Sequence, residues 1–186
     1  MAPRVRDSAL LDALEKLKQT PFSGTVWRSV RQGQDPIVCW SAGGRWDDRS
    51  FDVLYTSTTR DGALAERRFH LFRGQPIPPS KVRYELFELH VRLSAVVTFP
   101  DLAALQALGL DISGYGRASY SNKASEYPSS QAIAEACYFL GADGILVPSA
   151  RHPSPNPVVF CDQDSEKDIE LLESHGVIDW TDDEET

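Results

Sequence analysis

The chain is poor in the residues from which covalent and metal frameworks are built. It has three cysteines, Cys39, Cys137 and Cys161, an odd number with no close spacing. No Cys-x-x-Cys or His-x-x-x-His pair occurs, and the four histidines, His70, His90, His152 and His175, are scattered. Zinc sites need clustered ligands of these kinds, so no metal is expected. The odd cysteine count argues against a disulfide framework and suits a reducing compartment. Long apolar runs are missing too. The longest stretch free of Asp, Glu, Lys and Arg is ten residues, His152 to Cys161, whereas a spanning helix needs about 20. Residues 1–19 alternate charge with leucine and carry no apolar signal segment. A cytoplasmic protein without membrane contact is the expectation.

What is present suits one ordinary domain: 186 residues, 41% hydrophobic and 25% charged. The charge is uneven. Residues 162–186 hold eleven acids against one base, Lys167, a net of −10; residues 1–161 hold 16 acids and 18 bases, a net of +2. Such a weakly basic body lacks the stripe that marks a nucleic-acid binder, so no direct nucleic-acid contact is expected.

Periodicity predicts a first helix from Asp7 or Ser8, with Leu10, Leu11, Leu14 and Leu17 on one face, stopped by Pro21. Strands are predicted at Gly24–Val30 and Val53–Ser57, and a helix at Ala63–Phe72. In Lys81–Phe99 the apolar alternation changes parity near Phe87, which calls for a bulge or a break between two strands. Short helices end at Gly109 and Gly141, the second beginning at Ser130. Ile145–Val147 and Val158–Cys161 read as buried strands, and Ser165-x-x-Asp168 as the capped start of a last helix. Helices and strands intermix without βαβ spacing, which favours a single α+β domain. The boundaries read as an N-terminal helical segment over 1–21, a main domain over 22–162, and an acidic helix and tail over 163–186, part of or appended to the same domain.

Common catalytic motifs are lacking: there is no Walker loop and no Gly-x-Ser-x-Gly elbow. Gly114-Tyr115-Gly116-Arg117-Ala118-Ser119 imitates a dinucleotide fingerprint but has serine at the third glycine position and no preceding strand, so it reads as a glycine-rich surface loop. What remains is a set of polar residues in strand-like settings. Arg28 follows Trp27 in mid-strand. Arg45 lies in Gly43-Gly44-Arg45-Trp46, where glycine permits close backbone approach. Tyr55-Thr56-Ser57 ends a short strand, and Glu66 stands in Ala63-Leu64-Ala65-Glu66 on the inward face of a helix. An inward carboxylate needs a partner or a purpose.

With Ser130-Gln131, Val147-Pro148-Ser149-Ala150 and Asn156 before a final strand, this ordered set over about residues 22–162 resembles the RES domain, named for Arg, Glu and Ser residues. One departure is visible: members often continue Gly-Gly-Arg-Trp with Asn and a Pro-Gly turn, whereas Asp47-Asp48-Arg49-Ser50-Phe51 stands here. The resemblance implies an ADP-ribosyltransferase-like fold, a central mixed or split β-sheet flanked by helices. It also implies a pocket for NAD+ as substrate, with no tightly bound cofactor and inorganic phosphate as an alternative acceptor to water. RES proteins are typically toxins that destroy cellular NAD+, paired with an Xre-like helix-turn-helix antitoxin; oligomerisation is left open.

The chemistry suits these residue types. Cleaving the nicotinamide–ribose bond builds positive charge on the ribose, which a carboxylate at Glu66 stabilises. Guanidinium forks at Arg28 and Arg45 suit the diphosphate. Tyr55 is placed to stack on nicotinamide, and Ser57, Ser149 and Asn156 to hydrogen-bond ribose or phosphate. The catalytic set is thus Glu66, Arg28 and Tyr55, and the substrate-binding set Arg28, Arg45, Tyr55, Ser57, Ser149 and Asn156. Nicotinamide is an adequate leaving group without a metal. Two alternatives use the same residues: transfer of ADP-ribose to a protein, and a non-catalytic module that holds a nucleotide or a partner.

Overall fold

In a computed structural model of the protein, the residues described are 5–72, 82–117, 123–163 and 167–180. The longest strand, β3 (Tyr84–Thr98), organises the sheet. One edge pairs antiparallel with β1 (Gln19–Arg31). The other edge is shared: β6 (Asp168–Val177) runs antiparallel to its first part, and β4 (Gly144–Pro148) parallel to its last. Beyond β4 come β5 (Pro155–Phe160) and β2 (Val53–Tyr55), both antiparallel to their neighbours. The order is β1-β3-β4-β5-β2, with β6 beside β3. Helices α1 (Ser8–Glu15), α2 (Arg60–Phe72), α3 (Leu102–Gln106) and α4 (Lys123–Phe139) flank this mixed six-stranded sheet. The protein is a single α+β domain.

Two apolar clusters fill the interior. One gathers Leu14, Leu105, Ile133, Ala134 and Cys137 from α1, α3 and α4 against Val97, Ile145, Val158 and Phe160 of the sheet. The other joins Val26, Leu54, Leu89, Val91, Leu93 and Val159, with Phe22, Cys39, Cys161 and Ile169 packed against it. Full burial of each such side chain contributes roughly 1.5–3 kcal/mol.

Several expectations are corrected. The first helix ends at Glu15, with Asp7 accepting from Ala9 N and Leu10 N as its cap. Pro21, expected to stop that helix, lies inside β1, at a register shift between Thr20 and Phe22 where a residue without an N–H is tolerated. α4 begins at Lys123 rather than Ser130 and carries Pro128 within it. The parity change near Phe87 does not break β3. Its pairing with β1 is regular from Tyr84 to Leu93, and the irregularities fall on the β6 side, between Glu85 and Phe87 and between Glu88 and Leu89. Tyr84 faces α2, where Arg67 lies over its ring, while Leu89 to Leu93 face the second cluster, so cover changes sides along one continuous strand.

The acidic C-terminal helix is a strand. β6 sets Ile169 opposite Val91 and Leu171 opposite Leu89, and these cross-strand pairs outweigh the helical signals of an isolated segment. Ser165, its expected cap, lies outside the described residues. Against the expectation from cysteine count, Cys39 and Cys161 form a disulfide, with Cα atoms 6.4 Å apart across 122 residues of sequence. The fold brings the 32–40 loop onto the end of β5, a proximity that sequence spacing cannot reveal. Cys137 is the buried free thiol.

Candidate active site

The site is built where β4 ends and β5 begins. Pro148 and Pro155 face each other at the end of this antiparallel pair that the 149–154 loop connects, so Ser149 leaves β4 close to Asn156 of β5. α2 supplies the third member. Its first turn is seated by Thr59, whose Oγ1 accepts from Gly62 N at 3.1 Å and donates to Ser154 Oγ at 3.0 Å. Glu66, on the next turn, accepts on one oxygen, Oε1, from Ser149 Oγ at 2.7 Å and from Asn156 Nδ2 at 3.0 Å. Ser149 Oγ itself accepts from Arg151 N (3.1 Å) and His152 N (3.2 Å), so its single proton is committed to Glu66. Two residues, Ser149 just past β4 and Asn156 of β5, thereby fix the carboxylate that α2 supplies.

Arg45 enters on the 41–47 loop. Asp47 shapes that loop by accepting from Gly43 N at 2.6 Å and Gly44 N at 2.7 Å. Tyr55 locks it, donating from Oη to Asp47 Oδ2 and accepting from Trp46 N, both at 2.9 Å. About a third of Tyr55 is open to solvent (36%), but its hydroxyl end is enclosed, and burial together with Asp47 raises the phenol well above its ordinary range. A Cβ on Gly44 would stand 2.5 Å from that hydroxyl, which is why glycine is needed there. α4 clamps the loop from outside: Ser130 Oγ donates to Arg45 O at 2.7 Å, and Gln131 Nε2 to Gly44 O and Asp47 O at 2.8 and 3.0 Å.

The Arg45 guanidinium pairs with Glu126 and lies over the rings of Tyr115 and Tyr127, 4.5 and 5.1 Å from their centroids. Tyr115 is held by its hydroxyl, which donates to Pro148 O at 2.8 Å. Arg151 caps the Phe69 ring at 3.2 Å, and its charged neighbours are Glu66, Arg45 and Glu126. Burial lowers its pKa, with Glu66 acting in the opposite sense.

The sequence-derived residues thus fall into two groups. Glu66, Ser149 and Asn156 are joined by hydrogen bonds, and Tyr55 of β2 latches the 41–47 loop, whose Arg45 reaches the same charged cluster. Arg28 and Ser57 are held differently. Arg28, in the middle of β1, donates from Nη2 to Val38 O at 3.0 Å; its charged neighbours are Arg67 and Asp35. Burial, and then Arg67, lowers its pKa to about 10. Ser57 is buried, with its hydroxyl 3.4 Å from Ser154 Oγ and its backbone bridged to Trp27.

Sequence reasoning missed Asp47, Tyr115, Glu126, Tyr127 and Arg151. Tyr115 sits in the segment read as a surface loop, but Gly116 there is buried, and a Cβ on it would lie 2.7 Å from Ala150 O. Glu126 and Tyr127 precede Pro128 and fall outside the helix that periodicity predicts from Ser130, whereas α4 begins at Lys123. Arg151, two residues after Ser149, carried the one available signal, adjacency to a motif.

Among the described residues five buried side chains keep a polar atom without a hydrogen-bond partner: Arg28 Nη1, Glu126 Oε2, Asp143 Oδ1, Arg151 Nε and Asn156 Oδ1. Three of the five border the Glu66 cluster. Each such atom costs about 1–3 kcal/mol if left unmatched, so these three positions can take further polar partners, water among them. Glu88, Glu173 and His175, whose ligand atoms lie within 4.8 Å of one another, sit instead on β3 and β6, where His175 bonds Glu88 at 3.3 Å and packs against Trp27 with the ring planes tilted by 44°.

Fold and site together define a small single-domain α+β protein carrying a carboxylate and two arginines at the β4–β5 connection of a mixed sheet. The chain belongs to the RES domain family, which matches residues 20–181. Its structure is similar to a chain of the M. tuberculosis MbcT–MbcA toxin–antitoxin complex, with a TM-score of 0.71 and 19% sequence identity, covering 91% of this chain and 92% of that one. At that identity the likeness speaks for the fold. No curated protein sequence matches the chain. Among the described residues no helix is long and apolar enough to cross a membrane.

Proposed function

We propose that the protein cleaves the nicotinamide–ribose bond of NAD+, passing the ADP-ribosyl group to water or phosphate, and so acts as a toxin by depleting NAD+. The observation that carries this reading is Glu66, a carboxylate fixed through Oε1 by Ser149 and Asn156 beside two arginines in a RES-family chain. As the C1′–N bond breaks, nicotinamide leaves with the bonding pair and positive charge grows on the ribose. Glu66 stabilises that charge, and its remaining oxygen takes a ribose hydroxyl. Arg45 and Arg151 hold the diphosphate, the ring of Tyr55 stacks on nicotinamide, and the acceptor oxygen bonds to C1′ and releases its proton. Arg28, buried with an unpartnered Nη1, is a further anion donor. No tightly bound cofactor is needed. Membership of the family, with the likeness to a toxin solved together with its antitoxin, supports a protein antitoxin as partner; an Xre-like helix-turn-helix protein is the expected kind.

The test follows NAD+ and nicotinamide by chromatography, with and without phosphate. Glu66→Gln is expected to slow nicotinamide release by about 10²–10³-fold, the scale of losing one preorganised electrostatic group. A phosphate-dependent rate would choose phosphorolysis. Labelled NAD+ tests transfer to protein, which alone leaves label on a macromolecule. No NAD+ loss in either buffer would sink the reading.

A further inference from the structure

The side of the sheet opposite the second apolar cluster carries a row of residues that the chemistry above does not use. Val26 and Leu89 belong to that cluster, so their neighbours Trp27 and Glu88 face the other way. β1 sets Trp27 opposite Glu88, and β6 sets Glu173 opposite the same glutamate from the other edge of β3. Two carboxylates directly opposite on paired strands repel each other, so this pair asks for a cation between them. His175, two residues beyond Glu173 on β6, supplies a ligand atom at that point. Its Nε2 lies 3.3 Å from Glu88 Oε2 and 3.9 Å from Glu173 Oε2. The imidazole is turned back over β3, where it packs against the Trp27 ring with centroids 4.7 Å apart. Two side chains of the group are thus partly enclosed, Glu88 at 24% and His175 at 29% exposed, while Glu173 at 65% is the free arm.

We infer that Glu88, Glu173 and His175 bind a divalent transition-metal ion of the zinc class, which staples β6 to β3. Tetrahedral zinc, with bonds of about 2.0–2.2 Å, holds its ligand atoms about 3.3–3.6 Å apart. The His175–Glu88 spacing already matches, and the exposed Glu173 side chain has the freedom to close the rest. One imidazole with two carboxylates suits zinc, whereas calcium and magnesium take oxygen ligands. Neutral imidazole and two carboxylates sum to the charge that a divalent ion cancels, and three protein ligands leave a fourth position for water. A staple also fits the strand. β6 leaves Leu171, Leu172 and Val177 exposed, so a metal shared by both strands adds hold that apolar packing does not. Sequence spacing hides the group, because Glu88 and His175 are 87 residues apart and meet only once β6 forms as a strand. It shares no residue with the Glu66 cluster and stands independently of the NAD+ reading.

The experiment strips the untagged full chain with EDTA, removes the chelator by dialysis and titrates Zn2+ by calorimetry. The variants are His175→Gln, Glu88→Gln and, as a control on the same face, His90→Gln, whose imidazole bonds Ser23 instead. The native chain is expected to bind one equivalent. Loss of His175 or Glu88 should weaken that binding by about 100-fold or more, since even the outer partners of metal ligands carry about 10–100-fold. His90→Gln should bind as the native chain does. Zinc at about 100 times Kd should raise the melting temperature of the native chain by about 5 °C or more, and leave that of His175→Gln unmoved. Amide exchange in β6 should slow with it. Melting curves without metal establish that the variants are folded. Should they not be, the visible spectrum of the native chain with Co2+ decides, because a tetrahedral site of nitrogen and oxygen ligands absorbs strongly there without a thiolate charge-transfer band. No zinc bound by the native chain, unchanged binding in folded His175→Gln, or an equal loss in His90→Gln overturns the inference, and a protonated His175 then neutralises the carboxylates alone. Binding with the expected losses but no shift in melting or exchange sustains the site and overturns the staple.

Discussion

Tyr55 makes a separable prediction at the scale of single residues. Its hydroxyl serves the loop, and about a third of the residue is exposed, so the hydroxyl and the ring can be tested apart. Tyr55→Phe removes the acceptor for Trp46 N and the donor to Asp47 Oδ2. A loss of about 1–3 kcal/mol in stability is expected, read from denaturant melts, because Trp46 N is left unmatched while Asp47 Oδ2 keeps Gly44 N as its donor. Nicotinamide release per folded molecule should stay within about threefold, since the ring that stacks on substrate survives; Tyr55→Ala should lose it. Equal activity in both variants would remove the ring from the proposed site. Residues differ in how well the sequence announces them. Glu66 and Ser149 stand in apolar strand or helix contexts where a polar side chain demands explanation. Glu126, Tyr115 and Arg151 lie beside proline or glycine, in segments that read equally well as solvated turns, and only the folded chain brings them to Arg45. Asp47 shows a different limit: it departs from the family's usual continuation, yet it is the residue that shapes the arginine loop.

Elements were legible where they carry their own periodicity and obscure where a partner defines them. α2 and the β4–β5 pair follow from local patterns. β6 exists as a strand because β3 offers it an edge, and no window on residues 163–180 contains that edge. The bulge in β3 is similar, since it rests on a distant side chain. Asp143, 1% exposed, accepts from Ser94 N at 2.9 Å and Ala95 N at 2.8 Å, where β3 gains a residue against β1. Asp143→Ala leaves both partly buried amides without their acceptor and should cost about 1–3 kcal/mol, seen as a lowered denaturation midpoint. A cost below 1 kcal/mol would mean the bulge is held by its flanking strands instead. The Cys39–Cys161 bond makes a parallel case. Closing 122 residues of sequence should stabilise the fold by about 2–5 kcal/mol through the unfolded chain. Cys39→Ser or a reductant should therefore lower the melting temperature. Because Val38 O anchors Arg28, the same change should loosen that arginine, and greater protease sensitivity in the 32–40 loop is the corresponding readout.

Among the described residues, the buried groups with clearly displaced titration lie on the alkaline side of neutrality, and they set how stability responds to high pH. Burial pushes the Cys137 thiol up to about 12, and raises the phenols of Tyr55 and Tyr115 above their usual range. In the unfolded chain the thiol titrates near 8.5 and the phenols near 10. Raised folded values mean that the unfolded state sheds protons first. Stability is therefore complete below about pH 8.5 and falls as pH rises through the folded values, by at most about 1.4 kcal/mol per pH unit for each group. Arg28 acts oppositely: with its folded value lowered to about 10, its charge disfavours the fold below that pH, and the penalty eases between there and the unfolded value above 12. Among the described residues with a displaced titration, Cys137 is the one engaged between about pH 8.5 and 10. Thermal melts in that window should show an early decline that Cys137→Ala abolishes, even though the variant begins from a slightly lower melting temperature because the shortened side chain leaves a small cavity. Absorbance at 295 nm supplies the independent check. Of the six tyrosines, Tyr55 and Tyr115 should stay protonated past pH 10 and ionise together with the unfolding transition. Smooth titration of all six near pH 10, with the fold intact, would show that the Tyr55 latch and the Tyr115 platform are open to water, and with them the enclosure on which Arg45 depends.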